Sequence, residues 1–289
     1  MTTRDIIPAV PVAFRSDGAL DLNGSRAILR YVAASGNEGA FVLGTTGEFP
    51  ALTVAERGLL TAMSIEELAP IMRVIVHVGA PSLSEVLALV AQAREAGSTE
   101  IAVITPYYLP ASDAAMLEFF TAVSAASEGL DVYVYAFRNR TGNFVRAELM
   151  AELAKLPNLV GAKVSEEPLE QIAAYRAVVP EDFTLYTGAD RDLGKTADFG
   201  AQGVVSGISS VFPKPFRALA AAAASGEAAA IEDAQRAVDD VADTVKGDIG
   251  RIKAAYALMG IDGGVPRMAL DKPSDDVIAE LERVVALYA

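Results

Sequence analysis

Lys163 closes the apolar run Asn158-Leu-Val-Gly-Ala-Lys-Val164 and is one of only seven lysines in the chain. The other six, Lys155, Lys195, Lys214, Lys246, Lys253 and Lys272, stand in helix-like, loop or terminal contexts. An ammonium at the end of a buried strand is costly to desolvate. Desolvation also lowers its pKa, and the neutral amine attacks a carbonyl carbon to form a Schiff base. The competing reading is a lysine that snorkels to a carboxylate such as Glu166 or Glu167. The company Lys163 keeps decides between them.

That company sits where other apolar runs end. Gly44-Thr-Thr-Gly-Glu48 follows one run and Thr105-Pro-Tyr-Tyr108 another. Tyr135 ends a third and leads into Ala136-Phe-Arg-Asn-Arg-Thr-Gly142, while Thr187-Gly188 and Val205-Ser206-Gly207 end the last two. A phenol with a pKa near 10 is a poor base alone at neutral pH. Coupled through a threonine hydroxyl to a second tyrosine, it passes protons along a chain. Backbone amides in the Gly-Thr-Thr-Gly turn can hold the carboxylate of an α-keto acid, and Arg140 can clamp a second carboxylate in bidentate fashion. Each residue also has a plainer use. Turn threonines satisfy their own amides, Tyr107 and Tyr108 can form an interfacial aromatic pair, and Arg138 and Arg140 can be a solvated loop. His77, in Val-Ile-Val-His-Val, reads as a strand residue satisfied by a neighbour and is given no role.

The elements that must position these residues alternate along the first two-thirds of the chain. Strand candidates are Ile7 to Phe14, Ala40 to Leu43, Met72 to Val78, Glu100 to Ile104, Val132 to Tyr135, Leu159 to Lys163, Phe183 to Tyr186, and Val204 to Ser206. They read as apolar runs, not strict alternation, which is the pattern of parallel strands buried on both faces. Helix starts lie between them: Asp21 as a cap, Thr53-Val-Ala-Glu56 as a capping box, and Ser82 ahead of Val86, Leu89, Val90 and Ala93 on one face. Eight such units predict a (β/α)₈ TIM barrel, with chemistry at the carboxyl ends of its strands. No Gly-x-Gly-x-x-Gly turn follows the first strand, so a dinucleotide-binding sheet has no support. The expected division is a barrel core over residues 1–213, then a barrel-closing helix and a C-terminal helical appendage over 214–289. Ser225-Gly226 marks a turn inside the alanine-rich run.

Composition narrows the partners. With 24 basic against 38 acidic residues the net charge is −14, a poor start for nucleic acid or anionic membranes. No cysteine and a single histidine remove disulfides, thiolate chemistry and zinc clusters, so neither a metal nor a cofactor is expected. Met1 to Pro8 shows no basic segment leading into an apolar run, and no charge-free apolar stretch of about 18 residues occurs, which predicts a cytoplasmic protein.

Together these motifs resemble the dihydrodipicolinate synthase and N-acetylneuraminate lyase family of pyruvate-dependent class I aldolases, from Pro8 to Gly264-Val-Pro-Arg267. The resemblance makes Lys163, in Gly161-Ala-Lys-Val-Ser165, the Schiff-base lysine. It makes Tyr135, Thr45 and Tyr108 the proton relay, with Tyr108 reaching in from a neighbouring subunit of a homotetramer built as a dimer of dimers. Thr46, Gly47, Arg140, Gly188 and Val205 become the substrate-binding positions, for pyruvate and an aldehyde. Arg140-Thr-Gly142 matches the synthase arginine that binds aspartate semialdehyde, which sialic acid lyases usually lack. The family's Tyr-Asn-x-Pro is here Tyr135-Ala-Phe-Arg138, a change expected to free the loop and alter how Arg140 is presented. Glu48-Phe-Pro-Ala-Leu52 is closer to the sugar-acid and hydroxy-oxoglutarate aldolases. The leading expectation is 4-hydroxy-tetrahydrodipicolinate synthase. A 2-keto-3-deoxy sugar acid aldolase or dehydratase is the alternative, and a non-catalytic keto-acid-binding paralogue stands lower. A phosphate-sugar aldolase is last, because Asp190 and Asp192 would repel phosphate.

Overall fold

The computed structural model describes residues 4–289. Eight parallel strands form one sheet: β1 (Asp5–Pro8), β2 (Gly39–Val42), β3 (Arg73–His77), β4 (Glu100–Ile104), β5 (Asp131–Ala136), β6 (Leu159–Val164), β7 (Thr184–Thr187) and β8 (Gly203–Ser206). Each strand from β2 to β8 pairs with the next, β8 pairs with β1, and a bridge between Ala9 and Phe41 closes the ring. Helices lie between the strands, so the chain is a TIM barrel, as the alternating pattern predicts.

The first strand is shorter than expected. Its regular pairing ends at Pro8, not Phe14, because Pro8 and Pro11 have no N–H to donate to a ladder. Ala9 and Val10 still bond to the wall through Ser206 and Phe41, and the chain leaves it from Pro11 to Phe14. The Ala13 carbonyl takes the amide of Asp21 at 3.0 Å and the Phe14 carbonyl that of Val265 at 2.8 Å.

The helix starts match their signals. The Asp21 carboxylate caps Leu22–Ala33, Thr53 and Glu56 form the reciprocal box on Val54–Leu68, and Ser82 caps Leu83–Glu95 with Val86, Leu89, Val90 and Ala93 inward. Beyond the barrel the chain is helical through Pro213–Ser225, Ala228–Val245, Ile249–Leu258 and Asp275–Tyr288, with Gly226 in the left-handed conformation at the expected break. No helix among the described residues is long and apolar enough to cross a membrane.

Inward side chains fill the barrel. Ile7, Phe41, Ile75, Ala102, Tyr133, Tyr135, Tyr186 and Val205 belong to one interior cluster. A polar plug closes its amino end. Arg73 donates to Glu100 (2.7 Å), Tyr133 (2.9 Å) and Tyr186 (3.0 Å), and the Tyr186 hydroxyl donates to Asp5 (2.7 Å).

The helical tail is bolted to the loop after β2 by a buried ion pair. Lys253 Nζ lies 2.6 Å from Glu48 Oε1, with the two side chains 1% and 0% exposed. The other Glu48 oxygen accepts the amides of Arg267 (2.9 Å) and Met268 (2.7 Å), and Lys253 also donates to the Val265 carbonyl (2.9 Å). Arg267 reaches Glu56 and stacks over Phe14 at 4.2 Å. Lys253, which sequence context set among the lysines of helix-like, loop or terminal segments, is thus buried and paired. Removing one partner strands the other charge in the core, so Lys253→Met is expected to cost about 3–5 kcal/mol in urea or thermal unfolding. The double variant Glu48→Gln/Lys253→Met should lose clearly less than the two single losses added.

Candidate active site

Lys163 sits on β6, in register with Tyr135 of β5 and Tyr186 of β7. Its neighbours Ala162 and Val164 face the helical layer, so period two turns Lys163 into the barrel. It is 5% exposed, with Nζ 4.3 Å from the centre of the Phe41 ring and 4.2 Å from that of Tyr135. Among the described residues it makes no ion pair. Glu166 is held by the Asn139 amide at 2.8 Å instead, so the snorkelling alternative fails. Burial pushes the ammonium down to about 7, only partly opposed by the carboxylate of Asp190.

The Tyr135 hydroxyl is 3.1 Å from Thr45 Oγ1, so the expected tyrosine–threonine pair is made. Burial pushes the phenol up to about 12, which keeps its proton on at neutral pH. The Gly44–Glu48 turn spends some of its amides on itself: Gly47 N donates to the Gly44 carbonyl (3.1 Å) and Glu48 N to that of Thr45 (2.9 Å). The amides of Thr45 and Thr46 have no partner among the described residues and both residues line the cavity. Gly47 does not. Its amide is consumed by the turn and a Cβ there would lie 3.2 Å from the Val10 carbonyl, so tight packing accounts for the glycine. Gly44 is required for a similar reason, because a Cβ would come within 2.6 Å of the Phe41 ring.

Lys163, Tyr135, Thr45, Thr46, Arg140, Gly188 and Val205 all line one cavity of about 740 Å³ at the carboxyl end of the barrel. Arg140 belongs to the helical turn Arg138–Thr141, ended by Gly142 at φ +74°. That turn corrects the expectation of a freed loop: Arg140 N and Thr141 N both donate to the Phe137 carbonyl at 3.0 Å, and the Arg140 guanidinium lies 5.5 Å over the Phe137 ring. Tyr108 stands apart. It is 91% exposed, has φ +78°, and is not on the cavity wall of its own chain. Its loop is anchored through Asn143, which accepts the Ala111 amide (2.8 Å) and donates to the Pro106 carbonyl (2.7 Å).

Sequence reasoning missed part of the wall. Phe137, Ser165, Asp190 and Lys246 also line it. Burial pushes the Asp190 carboxyl up to about 6, and the Ser206 hydroxyl donates to it. Its position two residues past Gly188, at a strand's carboxyl end, was the available signal. Among the described residues, four of the five non-glycine residues at positive φ, namely Leu43, Glu48, Tyr108 and Glu166, lie in loops at this same end of the barrel, where strain gathers around sites. No group of three or more histidine, aspartate or glutamate side chains among the described residues is placed to hold a metal.

A closed barrel whose open end presents an unpaired, buried lysine beside a tyrosine–threonine pair has the layout of a lyase acting on a carbonyl compound. Comparison with known proteins agrees. The profile of the Dihydrodipicolinate synthetase family matches residues 2–286. An uncharacterised DapA-like lyase of Halobacterium salinarum is 33% identical over 283 residues, spanning 97% of this chain and 92% of the relative. A crystal structure of dihydrodipicolinate synthase from Thermotoga maritima superposes with a TM-score of 0.90 at 29% identity, covering 99% of both chains. A crystal structure of YagE, a prophage protein of the dihydrodipicolinic acid synthase family from E. coli K12 in complex with pyruvate, gives 0.88 at 27% identity over 98% of both chains. The chain belongs to the Dihydrodipicolinate synthetase family and is a lyase of the class I aldolase type.

The buried lysine has a consequence for stability. Between pH 7 and 10.5 the unfolded chain binds a proton at this side chain that the folded chain does not. The penalty on folding therefore grows as pH falls through that window and is constant below it, at roughly 5 kcal/mol or less. Lys163→Met is expected to be more stable than the wild type by a few kcal/mol at pH 6, in urea unfolding, with the gap narrowing as pH rises toward 10.

Proposed function

We propose that this chain is a pyruvate-dependent Schiff-base lyase with Lys163 as nucleophile, acting as a 4-hydroxy-tetrahydrodipicolinate synthase that joins pyruvate to aspartate semialdehyde. The observation that carries the reading is the unpaired Lys163 amine on the rings of Phe41 and Tyr135, beside a made Thr45–Tyr135 hydrogen bond. The pyruvate-bound relative YagE supports the substrate, and the cavity-facing Arg140, free of any acidic partner among the described residues, supports an aldehyde that carries its own carboxylate.

In this mechanism the pyruvate carboxylate rests on the amides of Thr45 and Thr46, with Gly188 and Val205 shaping the wall. The neutral Lys163 amine adds to C2, and the oxygen takes one proton from that nitrogen and a second delivered through Tyr135 and Thr45. Water leaves as the nitrogen lone pair closes the imine. Loss of a methyl proton gives the enamine, whose carbon attacks the aldehyde carbon, and the new alkoxide takes a proton back through the same pair. Tyr135, with its proton held on, acts first as a donor. Tyr108 completes the relay of a second copy in a homotetramer. Its 91% exposure, beside Leu109 at 70%, and its positive φ support a side chain built to be buried elsewhere.

A second reading has its own observation. Asp190 and Ser165 put hydrogen-bonding groups on the wall that carries Lys163, which suits a polyhydroxylated chain and hence a 2-keto-3-deoxy sugar acid aldolase or dehydratase. Arg140→Ala separates the two. For the synthase it raises KM for aspartate semialdehyde by about 10-fold or more with kcat little changed, whereas release of pyruvate from sugar acids responds weakly.

Borohydride trapping with pyruvate and peptide mapping tests the core of the proposal. A reduced adduct on Lys163 is expected, its rate of formation rising with pH through about 7 as the amine loses its proton, then levelling. An adduct on another lysine moves the nucleophile, and reversible pyruvate binding without adduct makes the chain a keto-acid-binding paralogue. Tyr135→Phe should slow turnover by roughly 10²–10⁴-fold.

A further inference from the structure

His77 is wholly buried on β3 and the chemistry above does not use it. Its Nδ1 lies 2.9 Å from the Leu43 carbonyl. A carbonyl only accepts, so Nδ1 carries the proton and the ring is the neutral Nδ1–H tautomer. Leu43 is two residues before Thr45 and has φ +60°, a conformation a leucine holds only when its surroundings enforce it. The ring packs edge-on against Tyr135 (centroids 5.8 Å, 86°) and against Phe49 (4.5 Å, 63°). Arg57, 2% exposed, donates to the carbonyls of His77 (2.6 Å) and Gly79 (2.8 Å) and lies over Phe49 at 5.4 Å. Gly79 crowds the far nitrogen so closely that a Cβ would lie 2.6 Å from it. The ring is therefore gripped from several sides; it packs on Tyr135 and holds the backbone two residues before Thr45.

We propose that His77 is a positioning residue for that pair: its Nδ1–H holds Leu43 in the left-handed conformation that presents Thr45, while its ring is the stop against which Tyr135 rests. Burial, with the nearby charge of Arg57, holds the ring's pKa well below the usual histidine value, so the single tautomer persists over the working pH range. A leucine at 77 fills similar space but leaves the Leu43 carbonyl without its donor. An asparagine keeps an N–H near the Nδ1 position.

The inference rests on Lys163 as the pyruvate nucleophile, and its test needs no second substrate. Exchange of the pyruvate methyl protons in D₂O, followed by NMR at saturating pyruvate, reads the imine–enamine step, and borohydride trapping reads the imine. In wild type, His77→Leu and His77→Asn, adduct on Lys163 is expected to equal extents. Exchange should fall about 10- to 100-fold in His77→Leu and return to within a few-fold of wild type in His77→Asn. Wild-type exchange in His77→Leu, or an equal loss in both variants, overturns the proposal. If His77→Leu does not fold, His77→Gln, whose donor sits nearer Nε2, replaces it with the same two outcomes. A wild-type protein that forms no adduct overturns the Lys163 reading and this inference together.

Discussion

A cation held in the barrel interior without a counter-ion is the constraint on which the rest of the site depends. Lys163 and Lys253 are both nearly inaccessible to water, yet their surroundings are opposite. Lys253 has the Glu48 carboxylate at 2.6 Å and a backbone carbonyl at 2.9 Å, so its charge is matched and it serves as a bolt. Lys163 has two aromatic faces and a carboxylate, Asp190, that makes no ion pair with it. Aromatic faces soften the desolvation of an ammonium but do not cancel it. The amine is therefore free to shed its proton near neutrality, which a paired lysine is not.

Such a group destabilises the fold that carries it, and the barrel is arranged to bear it. The amino end is sealed by a plug in which Arg73 is matched by Glu100 and by two phenols. At the carboxyl end the turn after β2 is held from two directions. Glu48 ties it to the tail through Lys253 and the amides of Arg267 and Met268, and His77 ties its other side through the Leu43 carbonyl. Both Glu48 and Leu43 have positive φ. The strained residues are the ones gripped by side chains from distant parts of the chain. Loss of either grip would let the turn relax away from Lys163, so the helical tail is part of the site's mechanics even where it does not touch the cavity.

What could be read from sequence follows the range of the forces involved. Strands buried on both faces announce themselves as apolar runs, and caps such as Asp21, Thr53 and Ser82 act within three residues, so barrel and helix starts were legible. Lys163 and the Thr45–Tyr135 pair were legible because barrel geometry sends strand ends to one place. The Glu48–Lys253 pair was not, since 205 residues separate its members and nothing local marks either. The crowding of Gly47 against the Val10 carbonyl was likewise out of reach, because it joins two distant segments. The segment after Tyr135 did not loosen because the turn closes on the carbonyls of Phe137 and Arg138, and Arg138, at its first position, contributes no N–H that a proline would have removed.

Tyr108 brings these arguments to the edge of the single chain. A phenol 91% exposed is ordinary, but a tyrosine at φ +78° is not, because that conformation is unfavourable and nothing among the described residues of its own chain covers the ring. The backbone beside it is far from loose. Pro106 and Ala111 are pinned by Asn143, which follows the helical turn carrying Arg140, and the Thr105 hydroxyl donates to that of Thr141 at 3.0 Å. The outward tyrosine and the cavity-facing arginine are thus mounted on one rigid support. Any surface that seats the tyrosine would fix the arginine at the same moment; under the function proposed above, that couples association between copies to selection of the second substrate through Asn143 and not through the barrel core.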